Sequence, residues 1–179
     1  MTHTMGAHTG SNENERARGN RMSSVSARLE ELRVEEKKAW RSRLDAELHV
    51  LTSKIAQIPW TPGGALLVRD EAERCEYFFE LQTAHGNWAR VAGLMRASGP
   101  APRTSSIRLP SSSAARAARR KDFEELAIDH RALKTTLALA RQVLSEDVEE
   151  AALIHRLEAV ARKGIELMPR LARCFDIAP

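Results

Sequence analysis

The sequence predicts an all-α fold, an elongated helical bundle or coiled coil of about four helices in two hairpins. Three observations carry that reading. Aromatic residues make up only 4% of the 179 residues, while hydrophobic residues are 42% and charged residues 29%. Strand-rich folds draw on aromatic and β-branched residues, so this composition points away from sheets. Second, apolar residues recur at alternating steps of four and three, the period of a helix seam. Third, two clusters of Pro, Gly and Ser interrupt the pattern, and one of them divides it into halves.

Residues 1–22 are rich in Thr, His, Asn, Glu and Arg, have little to bury, and read as a disordered tail. Residues 23–58 read as a long helix. Ser23, Ser24 and Ser26 offer caps, and no Gly or Pro intervenes before Pro59. Its apolar positions are Val25, Leu29 and Leu32, then Trp40, Leu44, Leu48, Leu51, Ile55 and Ile58. The stripe lapses over Glu35, Glu36, Lys37 and Lys38, a stutter or a solvated stretch.

Pro59-Trp60-Thr61-Pro62-Gly63-Gly64 cannot continue a helix. A second helix is expected over 70–96, opened by Asp70 with Glu73 three residues on. Tyr77, Leu81, Ala84, Trp88, Val91 and Met95 form its seam, and Cys75, Phe78 and His85 widen it. A widened face calls for two neighbours, as in a bundle. Gly86 and Gly93 either permit close helix approach or end the helix early. Residues 23–96 thus form an N-terminal helical hairpin.

Residues 97–113 hold three prolines and six serines and read as a basic linker. Residues 114–144 carry the cleanest heptad, Phe123, Leu126, His130, Leu133, Leu137, Ala140 and Leu144. Ser145-Glu146-Asp147 is a helix-start signature, so 146–168 form a fourth helix along Leu153, Leu157, Val160, Gly164 and Leu167. The alternative is one rod continuous with the third helix. Pro169 ends or kinks the fourth. Residues 114–179 are therefore a second hairpin or a long helix.

The nine glycines form neither a phosphate-binding loop nor a dinucleotide fingerprint, and there is no H-E-x-x-H or C-x-x-C. The residues three before His49, His85, His130 and His155 are Ala46, Gln82, Ala127 and Ala152, so the Glu-x-x-His of di-iron bundles is missing. Each predicted helix carries one histidine, but His130 on an apolar stripe reads as a hydrogen-bonded core group. Cys75 and Cys174 also lie on apolar stripes, where inert thiols are usual. No catalytic residue, metal or cofactor is expected, and the chain reads as no enzyme.

The residues expected to carry function pack helices together. They are Leu44, Leu48, Leu51 and Ile55 on the first helix, Tyr77, Leu81 and Trp88 on the second, and Phe123, Leu126, Leu133 and Leu137 on the third. The expectation is a non-catalytic structural or scaffold subunit whose partners are other helical subunits, copies of itself or different chains. The alternative is nucleic-acid contact through Arg103, Arg108, Arg116, Arg119, Arg120 and Lys121, six cations with no acid over residues 103–121. No aromatic residue interleaves them, so base stacking is unsupported. No apolar run reaches the ~20 residues of a membrane span. Residues 1–22 lack the apolar core of a secretory signal, so an intracellular setting, cytoplasmic or nuclear, is expected.

Overall fold

The computed structural model describes the backbone of residues 10–58, 68–94 and 112–175, and the side chains of 25–58, 72–94 and 112–175. Among the described residues there are four α-helices and no strand: α1 (Gly10–Gln57), α2 (Val68–Val91), α3 (Ser113–Leu144) and α4 (Val148–Arg173). The fold is an all-α helical bundle. The chain divides into two compact units, Met1–Ala39 and Trp40–Pro179.

Helix α1 begins at Gly10, so residues 10–22, expected as tail, are helical. Proline is absent there, and extending an existing helix costs far less than starting one. In the first unit every side chain from Val25 to Glu36 is exposed.

The second unit contains the core. Side chains that bridge the helices fix their directions. Lys54 Nζ donates to Asp129 Oδ2 at 2.6 Å, and Thr136 Oγ1 donates to Glu47 Oε1 at 3.1 Å, so α1 and α3 run antiparallel. Arg141–Glu158 and the stacked rings of Phe123 and Phe175 set α3 against α4, again antiparallel. Lys163–Glu80 and Arg170–Glu73 do the same for α2 and α4. It follows that α2 and α3 run the same way. The chain leaves α2 at the end of the bundle where α3 finishes, and enters α3 at the other. Of the expected linker, 97–111 lie outside the described residues, as does the break 59–64 with Trp60.

Local signals place the helix ends. Ser112 caps α3, its hydroxyl accepting from Ala115 N. Asp147 caps α4, one carboxylate oxygen accepting from Glu149 N at 2.9 Å and Glu150 N at 3.0 Å. That cap makes α3 and α4 two helices, not one rod. Helix α2 already runs at Val68, so Asp70 is not its cap, and it stops at Val91 rather than 96. Gly93 is the cause. It takes φ +67°, a left-handed conformation open to glycine, and Leu94 N then bonds Ala89 O at 2.8 Å while Gly93 N bonds Arg90 O at 3.2 Å. Gly86 permits no close approach, since a Cβ there would meet nothing within 4 Å.

Pro169, expected to end or kink the fourth helix, lies inside α4, which continues to Arg173. Proline removes the donor for the Ile165 carbonyl. Burial of Met168, Leu171 and Ala172 holds that last turn in place.

Candidate functional site

The eleven residues expected at helix interfaces are all buried within the second unit. Leu44, Leu48, Leu51 and Ile55 of α1 meet Tyr77, Leu81 and Trp88 of α2 and Phe123, Leu126, Leu133 and Leu137 of α3 in one continuous core. Side chains from α4, among them Ile154, Leu157 and Val160, complete it. Among the described residues these seams are therefore covered by the chain's own helices. Trp88 is wholly buried, and its indole N–H has no acceptor among the described residues.

A polar pair sits inside this core. His130 is fully buried, and its Nδ1 lies 2.5 Å from the Leu126 carbonyl oxygen. A carbonyl can only accept, so Nδ1 carries the proton and Nε2 is the acceptor. Tyr77, on α2, donates its hydroxyl to that Nε2. Burial pushes the His130 imidazolium below its ordinary range, partly offset by the Leu126 carbonyl, and burial pushes the Tyr77 phenol up. Both groups are thus neutral at pH 7, as the hydrogen bonds require.

Gly164 of α4 makes the room. A Cβ at that position would overlap the His130 ring and come within 2.7 Å of the Tyr77 hydroxyl. The pair is closed from solvent with its polar atoms occupied. That is the chemistry of a core joint between α2, α3 and α4, and it agrees with the sequence reading of His130 as a hydrogen-bonded core group.

The other histidines do not join it. His85 Nε2 lies 3.2 Å from Asp45 Oδ1, with the His49 ring 6.5 Å away, centroid to centroid. His155 is on the surface of α4 near Glu158. No three acidic, histidine or cysteine groups converge as a metal site among the described residues. Cys75 and Cys174 are half-buried, and Cys174 Sγ–H points to the Arg170 carbonyl.

A second long-range joint links α1 to α4. Arg41 donates through Nε to Glu150 Oε1 at 2.5 Å and through Nη2 to Oε2 at 3.1 Å. Glu150 is buried, and the hydrogen bond to it raises the Arg41 guanidinium further above its ordinary value. The carboxylate also sits in the first turn of α4, at the positive end of the helix.

Of the basic run, Arg103 and Arg108 lie outside the described residues. Arg116 is half-buried in the first turn of α3. Arg119 approaches Asp122, Arg120 approaches Glu124 and Lys121 approaches Glu125, at 3.4, 2.8 and 3.6 Å. These acids follow the run directly in sequence and offset its charge once the helix forms.

Large apolar side chains are exposed in both units, Phe79, Ile128 and Val148 among those of the second. In the first unit, Val25, Leu29 and Leu32 are 59%, 61% and 53% exposed. They follow each other at steps of four and three, so they share one helix face. The sequence marks these three positions as a stripe. It does not distinguish them from the buried ones that follow, because the period is the same. No family model, curated protein or solved structure matches this chain. No helix among the described residues is long and apolar enough to cross a membrane.

Proposed function

We propose that this chain is a non-catalytic structural subunit that joins an assembly by helix packing, through the face of α1 that carries Val25, Leu29 and Leu32. One observation supports the reading. The seams of the second unit are internally filled, whereas this stripe has heptad spacing and stands more than half exposed. Covering a fully exposed Val or Leu stabilises by about 1.5–3 kcal/mol, so a stripe of this kind gains from a partner helix.

Affinity purification from lysate tests it, with the wild type beside Leu29→Asp/Leu32→Asp. Helical partners that survive high salt and nuclease and vanish with the double variant are the expected result. Partners unaffected by the variant would refute the reading.

Phosphate contact through 103–121 is the second reading, resting on six cations without an interposed acid. It predicts companions lost with nuclease or salt, and lost again on charge reversal at Arg116, Arg119 and Arg120. The close acids Asp122, Glu124 and Glu125 weigh against it.

A further inference from the structure

We infer that the helix covering this stripe is the same segment of a second copy, packed antiparallel; the inference rests on the proposed role of the stripe. Extending the spacing by four places Glu36 on the face of Val25, Leu29 and Leu32. Arg28 and Glu35 immediately precede Leu29 and Glu36, so both flank the seam on one side, and Arg33 flanks it on the other.

These charges decide the direction of pairing. In a parallel, in-register pair, Glu36 shares a layer with its own copy, and Arg28 faces the second copy's Arg33. Like charges meet in the seam and beside it. In an antiparallel pair, Leu29 packs on the second copy's Leu32 and Val25 on the stem of Glu36. Arg28 then faces Glu35, and by two-fold symmetry this contact occurs twice. Within one chain Arg28 pairs with Glu31 at 2.8 Å, an exposed contact that gives way at little cost. The stripe is thus self-complementary in one orientation and self-repelling in the other.

Sedimentation equilibrium of the full chain tests this. The seam is short, so a dimer with a Kd of tens of micromolar is expected. Leu29→Asp/Leu32→Asp is expected to give a monomer of unchanged helicity, because both side chains are exposed in the single chain. Arg28→Glu is expected to weaken the dimer about tenfold, and adding Glu35→Arg to restore it. A chain monomeric up to about 500 µM, or a dimer indifferent to the double Asp variant, would overturn the inference. So would Arg28→Glu tightening the dimer, since that is the parallel outcome. A monomer that still loses lysate partners with the double variant refutes this inference and leaves the proposed role standing. A dimer broken by the variant while the partners persist does the reverse.

Discussion

Tyr77 and His130 are joined by a hydrogen bond across the face of Gly164, so three helices depend on one residue having no side chain. Replacing Gly164 with Ala forces the imidazole or the phenol to move within a filled core. Gly164→Ala is expected to cost at least 1–3 kcal/mol, roughly, in urea unfolding. In a His130→Ala background, where the ring is gone, most of that cost should disappear. Equal costs in the two backgrounds would show that the ring is not what the methyl meets.

The same pair gives stability a pH dependence with a definite sign. His130 is held below the ordinary histidine value of about 6.5, so the unfolded chain takes up its proton first on acidification. Its contribution is therefore intact above about pH 6.5 and is lost as pH falls from there toward the folded-state value. Thermal unfolding of wild type and His130→Gln from pH 7.5 to 5 checks this. The wild type should lose stability more steeply with acid than the variant. Parallel curves would contradict it.

Removing the Arg41 side chain strands the buried Glu150 carboxylate without its bidentate donor. Arg41→Ala is expected to cost roughly 1.5–3 kcal/mol, the range for hydrogen bonds to charged groups. Arg41→Met with Glu150→Leu should cost less than the single change, because no buried charge is left behind. A double-mutant cycle by denaturant titration reads the coupling.

Leu133 and Leu29 each lie on an apolar stripe and should respond oppositely to the same substitution. Leu133 is buried beneath α1, so Leu133→Asp places an unpaired charge in the core and should abolish cooperative unfolding. Leu29→Asp should leave the circular dichroism spectrum and melting temperature nearly unchanged. A Leu133→Asp variant that melts like the wild type would contradict the packing described here.

Gly86 inside α2 and Gly93 just past its end, seven residues apart, should also part company. Gly86→Ala fills open space in a helix interior and is expected to stabilise by about 0.5–1 kcal/mol. Gly93→Ala forces a side chain into φ +67° and is expected to destabilise by about 1–2 kcal/mol. Thermal melts of the two single variants are sufficient to check both signs.

Much of the bundle can be read directly from spacing. The steps from Leu44 to Ile55, Tyr77 to Trp88 and Phe123 to Leu144 identified core positions because periodicity reports which residues share a face. It does not report whether a neighbour covers that face. Val25, Leu29 and Leu32 follow the same rule and are exposed. Nor does it report pairings across the chain: Tyr77 is 53 positions from His130, and Arg41 is 109 from Glu150. Gly164 looked like one more stripe position because its significance lies in two side chains from other helices. Pro169 does not end α4, because the local rule about a missing N–H takes no account of the burial on either side of it.

The directions of the helices imply an order of assembly. Helices α3 and α4 oppose each other across a connection of only three residues, Ser145 to Asp147, so their contacts close short loops. The bonds from α1 to α3 bridge 75 and 89 positions, and closing such loops must be paid in entropy before the contact is rewarded. The C-terminal pair is thus expected to form first, with α1 docking on it late. In hydrogen exchange, the amides of α3 and α4 should be the last to open, and those of α1 should exchange through a smaller, partial unfolding.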